Sequence, residues 1–393
     1  MDGAQTRSAG RGTDPAGALR VAQVESTAED PIAAIAAQLG GGPFELVCLF
    51  ASPEADFIAL NDAAIGAFGG ADVFACTTAG EIGRAGYEEG QIIAIAFPSA
   101  LFAVDALAID GLDALDDRQV IDQLMQRRMA LNVDAPDKPY EFAFLMVDGL
   151  SLQEENVATI LASAMGQMPL FGGSTGDGTD FGATWLSYNG KIRSNAALLA
   201  LVRSRCPVKV FSIDHLVPTT TRMVVTRAAP DHRTVQEINA EPAAQEYARL
   251  LGMRPEQLDT FTFATHPVVV RLGDSHHVRS IQKVGDKGEL VFFSAINEGM
   301  VLTLAERQDM ASHLDQALGA LSETEAPEQI LGCDCLLRRL EAGQFQETRA
   351  VSDVLTRHNV VGFNTYGEQI GALHVNQTFT AVAFYPAEDE DRP

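Results

Sequence analysis

The chain repeats part of itself. Val73-Phe74-Ala75-Cys76-Thr77-Thr78-Ala79-Gly80-Glu81 and Val360-Val361-Gly362-Phe363-Asn364-Thr365-Tyr366-Gly367-Glu368 match in register, 287 residues apart. At the same offset Ala94-Ile95-Ala96-Phe97 returns as Ala381-Val382-Ala383-Phe384, and eight positions between 73 and 97 are identical. Self-similarity at a fixed offset means that one supersecondary unit is used more than once. In each copy an apolar run of strand character stops at small and hydroxyl residues, passes a Thr-x-Gly-Glu corner, and resumes as a strand ending in Phe.

A glycine lets the backbone turn sharply at a strand end, which is where open α/β sheets hold their ligands. Thr77, Thr78, Gly80 and Glu81 in one copy, and Thr365, Gly367 and Glu368 in the other, are therefore candidate ligand contacts, with Asn376 just downstream. The plainer alternative is that Gly80 and Gly367 only make turns. The paired glutamates favour a shared site.

A further small-residue corner, Gly172-Gly173-Ser174-Thr175-Gly176-Asp177-Gly178, can present successive backbone N–H groups, and Gly173, Ser174 and Thr175 join the candidates. No Lys-Ser/Thr follows it and the spacing is not that of a dinucleotide turn, so it reads as a loop lining a pocket. Arg338 and Arg339 are adjacent on an expected helix and point to different faces. One of them, with Arg338 preferred, can reach a carboxylate such as Glu81 or Glu368, or a ligand acid.

The expected architecture is α/β: two lobes of mixed sheet with internal duplication of a strand-corner-strand unit. Glu45 to Phe50, Pro53 to Phe68 and Asp72 to Cys76 read as strand, helix and strand, the rhythm of a parallel pair. Gln91 to Phe97 and Leu101 to Ala108 read as a meander. The β-α rhythm recurs through a helix at Asp117 to Met129, a strand at Phe142 to Val147 and a helix at Gln153 to Met165.

Beyond the glycine corner the chain reads as antiparallel strands, from Phe181 to Ser187, Ala196 to Arg203 and Val208 to Ile213. Strand patterns follow around 267–272, 278–283 and 290–295, then a long helical pattern from Leu302 to Leu321. Pro230 and Pro242 bracket the best boundary. The expected division is a disordered tail at 1–20, domains at 21–236 and 237–385, and an acidic tail at 386–393.

With 28 basic against 53 acidic residues the net charge is −25, which disfavours nucleic acid and anionic membranes as partners. No apolar run approaches the ~20 residues of a membrane helix. The five cysteines, Cys48, Cys76, Cys206, Cys333 and Cys335, have no disulfide spacing, so a cytoplasmic location is expected. Cys333-Asp334-Cys335 lacks the further ligands of a zinc site. His215, His266 and His374 sit in apolar or glycine-rich settings; each reads first as a structural histidine, although a neutral imidazole there is also what an iron ligand requires.

Thr77-Thr78-Ala79-Gly80-Glu81-Ile82 with Gly86-Tyr87, then Phe171 to Asp177, then Gly362 to Glu368 with His374-Val375-Asn376-Gln377-Thr378, together resemble the FIST family over roughly residues 30 to 385. The resemblance implies paired FIST N and FIST C domains in an intracellular sensory protein that binds small ligands such as amino acids and works with bacterial signalling partners. Thr265-His266-Pro267-Val268-Val269-Val270-Arg271, Val278 to Gln282 and Asn297 to Leu302 are similar to the NosP-type branch. That branch implies haem, nitric oxide sensing and a partner histidine kinase, with His266, His374 and His215, in that order, as candidate axial ligands. The rival classes are a hydrolase or transferase using Cys76 or Thr78 with Glu81 or Glu368, and an interaction scaffold working through its acidic tail.

Overall fold

Three six-stranded sheets share one plan in the computed structural model, which describes residues 17–229, 233–272 and 275–387. The first sheet runs, edge to edge, Arg20–Glu25, Gln91–Pro98, Phe44–Ala51, Asp72–Thr77, Leu186–Tyr188, Lys191–Arg193. The second runs Phe102–Asp110, Ala196–Ser204, Tyr140–Val147, Leu170–Ser174, Glu368–Ile370, Leu373–Val375. The third runs Val208–Ile213, Phe379–Phe384, Gln329–Cys335, Val360–Thr365, Glu81–Gly83, Gly86–Glu88. In each, the two middle strands are parallel and every other pairing is antiparallel.

The repeat is thus threefold, and the copies exchange hairpins in a ring. The hairpin of the first copy (81–88) completes the third sheet, that of the second (186–193) completes the first, and that of the third (368–375) completes the second. The middle copy escapes notice in the sequence for two reasons. Its corner spans 175–185 where the others need only 78–80 and 366–367, and Leu186 stands where Glu81 and Glu368 stand.

Strand periodicity builds the core. Leu46, Cys48 and Phe50 face inward to meet Phe142, Phe144 and Met146 of the second sheet and Leu331, Cys333 and Phe363 of the third in one common core. Phe50 stacks on Phe363 at 4.5 Å. The alternate positions Val47, Leu49 and Ala51 face outward under helices Pro31–Leu39 and Phe57–Ala67. Strands covered on both faces read as the unbroken apolar runs seen in the sequence.

A fourth, antiparallel sheet interrupts the third copy between Ile213 and Met310. It carries strands Leu216–Ala229, Thr234–Ile238, Val268–Leu272 and Val301–Arg307 and has its own core around Val225, Tyr247, Phe263 and Leu302. The molecule is therefore two-lobed and mixed α/β. The interval 230–242 lies inside this inserted lobe, with 230–232 outside the described residues. Ala18 and Leu19 are buried and a strand starts at Arg20, so order reaches into the last residues of the expected amino-terminal tail. Residues 1–16 and 388–393 of the two expected tails lie outside the described residues.

Three expected elements are corrected. Gln91–Pro98 and Phe102–Asp110 form no meander, because the intervening bend carries the chain from the first sheet to the second. The strand expected from Phe181 shrinks to Leu186–Tyr188, and Phe181 sits in the long corner at a left-handed φ of 51°. The helix expected from Leu302 is a strand to Arg307 followed by helix Met310–Ala320, which Asp309 caps by accepting from the Ser312 N–H. Leu302 and Leu304 face the lobe core at a strand spacing of two.

Candidate functional site

The three parallel pairs end at one pole of the common core, and their corners clasp one another there. Ala79 N–H donates to the Asn364 carbonyl (2.9 Å) and Asn364 N–H to that of Gly80 (2.7 Å). Tyr366 and Ser174 make the same exchange with Ser174 and Gly367 (3.2 and 2.8 Å), and Thr77 and Trp185 close the ring. Gly176 and Gly178 of the middle corner donate to the carbonyls of Thr77 and Thr78. The candidates Thr77, Thr78, Gly80, Gly173, Ser174, Thr175, Thr365 and Gly367 therefore belong to one assembly.

Each glutamate fastens its own corner to the exit of its own hairpin. Glu81 Oε1 accepts from Thr78 Oγ1 (2.5 Å) and Oε2 from the Gln91 N–H (3.1 Å). Glu368 Oε1 accepts from Thr365 Oγ1 (2.5 Å) and Oε2 from Thr378 Oγ1 (2.7 Å) and N–H (3.3 Å). Burial pushes their carboxyls up, Glu81 to about 7 and Glu368 to about 8, against the pull of these donors. The bonds recorded for the two carboxyls stay within their own copies.

The arginine pair divides as adjacent helical residues must. Arg338 turns inward, giving Nε to Asp334 Oδ1 (2.7 Å) and Nη1 to His215 Nδ1 (2.8 Å), and so reaches neither glutamate. Tyr87 holds the other oxygen of Asp334, and His215 Nε2 donates to Glu341 Oε1 (2.8 Å), which also takes Arg307 Nε. Arg339, the other of the pair, covers the first corner and donates to Asn364 Oδ1 (2.8 Å).

The third corner lies under the inserted lobe. A Cβ on Gly367 would overlap His374 Cε1 and Asn376 Nδ2, so any larger residue there must displace those side chains. Ser294 Oγ donates to Asn376 Oδ1 (2.9 Å), Gln377 Nε2 to the Ala264 carbonyl (2.6 Å) and Arg279 Nη1 to the His374 carbonyl (3.0 Å). Arg233 pairs with Glu154 across the same seam. Above it Phe181 stacks on Tyr366 at 4.5 Å and lies 5.9 Å from Phe293 of the inserted lobe, while the Tyr366 hydroxyl bonds Asp177. Buried within this seam, His374 Nε2, Gln369 Oε1 and Arg279 Nε have no hydrogen-bond partner. Water can supply the missing bonds of such groups.

Sequence reasoning missed Phe181, Tyr366, Asp177 and Arg279. A signal existed for one of them: Tyr366 replaces Ala79 in an otherwise matching corner.

The three histidines differ. His215 has both ring nitrogens engaged, and burial holds it neutral by lowering its pKa. His374 accepts from Gln369 Nε2 at Nδ1 (3.2 Å), and burial, aided by Arg233 and Arg279, holds its pKa well below the usual value; its free edge is packed against Gly367. His266 ends helix Thr260–Thr265, with Nδ1 3.1 Å from the Thr262 carbonyl, and is only half buried. Five cavities of 330 to 530 Å³ open on the described surface, and none of these is lined by any of the three. Cys76 points into the common core, where burial pushes its thiol well above the ordinary range, and the Thr78 hydroxyl is fully buried against Glu81.

Strand-end corners gathered at one pole and roofed by an inserted lobe define a mixed α/β scaffold of repeated units. The FIST N domain matches residues 45–241 and the FIST C domain residues 243–371. The chain belongs to the FIST family, whose domains are signal-transduction sensors of small ligands. No curated protein matches the chain. Among the described residues no helix is long and apolar enough to cross a membrane.

Proposed function

We propose that this chain is a cytoplasmic, non-catalytic sensor whose small ligand enters at the pole, between the third corner and the inserted lobe, and whose occupancy is read by a signalling partner. One observation carries the reading: both departures from the threefold repeat, the long middle corner and the inserted sheet, meet at that spot through Phe181, Tyr366 and Phe293. A ligand there parts the aromatic stack above the buried His374 and Gln369, each of which carries an atom without a hydrogen-bond partner. Parting the stack also shifts the lobe against the core, giving the two arrangements that a partner needs to distinguish. A thermal-shift panel of amino acids and small carboxylates tests this. A stabilising compound whose effect vanishes in Tyr366→Ala and Gln369→Ala supports it, whereas an effect unchanged in both variants places the ligand elsewhere.

A second reading, haem-based nitric oxide sensing that regulates a histidine kinase, is favoured by His266. Its Nδ1 lies 3.1 Å from the Thr262 carbonyl and 2.9 Å from Thr265 Oγ1, and the tautomer protonated at Nδ1 would keep the ring oriented and the Nε2 lone pair for iron, an arrangement common among metal-bound histidines. The donor fits, but the apolar enclosure of several hundred Å³ that a macrocycle needs is not among the five cavities described. Haemin titration of the protein, with the Soret band recorded before and after reduction and nitric oxide, decides this. A saturable band at one equivalent that is lost in His266→Ala supports it; a broad, nonsaturating band rejects it.

A further inference from the structure

The long middle corner has a second side. While Phe181 faces the pole, the residues that follow line an open cavity of about 470 Å³ beside Asp148, which directly follows strand Tyr140–Val147. This is the crevice beyond the carboxyl end of a parallel strand, where doubly wound sheets take ligands, and its volume suits a small molecule.

Trp185, the single tryptophan of the chain, is the last residue of the corner, forms one wall and is 41% exposed. Leu150 and Ile192 extend the apolar surface. The acidic group is already engaged: Asp148 accepts from Thr184 Oγ1 (2.5 Å), the Leu150 N–H (3.0 Å) and the Asn195 N–H (2.6 Å).

Arg193 is less fully used. Its Nη1 is fixed by the carbonyls of Lys191 (2.5 Å) and Tyr188 (3.4 Å), but its buried Nε makes no hydrogen bond. Asp110 Oδ1 lies 3.0 Å from that nitrogen as an ion pair without hydrogen-bond alignment, and Lys191 Nζ approaches the same carboxylate at 4.0 Å. Two cations thus share one half-exposed acid, while Asp148 is held by its own three donors, so Arg193 is the cation of the lining whose Nε is left for a ligand acid.

We propose that this cavity binds a small monocarboxylate with a flat apolar body, the ring lying on Trp185 and the carboxylate on Arg193. A planar body matches the indole face, and a guanidinium recognises a carboxylate better than any neutral group. The site is coupled to the pole by the same loop. Asp177 holds the Gly182 and Ala183 N–H groups (2.7 Å each) on the cavity side and the Tyr366 hydroxyl on the other.

Because Trp185 is the only tryptophan, its emission reads this site alone. The test is a fluorescence titration with phenylacetate, set against benzyl alcohol, which lacks the carboxylate, and acetate, which lacks the ring. The expected result is a saturable change with phenylacetate only, weakened at least tenfold in Arg193→Gln. Linear quenching shared by phenylacetate and benzyl alcohol overturns the proposal, as does unchanged affinity in an Arg193→Gln protein with a native circular dichroism spectrum. Should Arg193→Gln not fold, calorimetry on Trp185→Phe decides: at least fivefold weaker phenylacetate binding supports the site, and undiminished binding removes it.

Discussion

The first and third corners are the same device put to different uses. Both tie a threonine hydroxyl to a glutamate and that glutamate to the returning strand, at matching positions of the repeat. The first is covered by Arg339, which reaches out to the exposed Glu89, and its Gly80 adopts a φ of 134° that other residues rarely tolerate. The third is covered by a packed interior: His374, Asn376 and the inserted lobe. The proposed ligand site lies at the copy that the inserted lobe covers.

The contrast breaks first at the arginines. Arg338→Leu leaves Asp334 buried without its cation and is expected to cost about 3–5 kcal/mol in denaturant unfolding. Arg338→Leu and Arg339→Ala costing the same would refute the division of labour between them. Glu368→Ala, which strands three buried donor bonds, is expected to cost about 2–3 kcal/mol, and Glu81→Ala about 1–2 kcal/mol; equal losses would erase the distinction between corners.

A pH series sharpens it. Both glutamates have folded pKa values above the ordinary 4.5, so the stability they contribute is full below that value and is lost as pH rises through about 7 and about 8. The slope reaches at most about 1.4 kcal/mol per pH unit for each group. Glu368→Gln should flatten the upper part of that decline and Glu81→Gln the lower part; a profile that neither variant alters would mean that both carboxyls stay ionised. Arg339→Ala, which removes a part-buried hydrogen bond to Asn364 and a contact to the exposed Glu89, should change stability by only about 1 kcal/mol by the same denaturant assay.

Most strands and helices of the three repeated sheets, and two of the three corners, were legible because burial on both faces writes unbroken apolar runs and because Thr-x-Gly-Glu survives in two copies. The middle copy was not, since a corner extended over 175–185 and Leu186 in place of glutamate hide the register. Nor could local pattern show that hairpin 81–88 pairs with 362–363 rather than with its own sheet, since long-range pairing leaves no periodic mark. Among the site residues, the corner assembly could be inferred from the repeat. Arg338 was misdirected because its partners Asp334 and His215 converge only in three dimensions, and the seam to the inserted lobe has no counterpart in the other copies.

The ring of exchanged hairpins also sets an order of events for a growing chain. Strand Leu170–Ser174 gets its outer neighbour only from Glu368–Ile370, and Val360–Thr365 gets its own from Glu81–Gly83. During synthesis the second sheet must therefore wait, one edge bare, while about two hundred further residues emerge, so premature release before 368 leaves an apolar strand edge free to recruit another chain. Slow maturation and a demand for chaperones follow from topology alone, whatever ligand the finished protein holds.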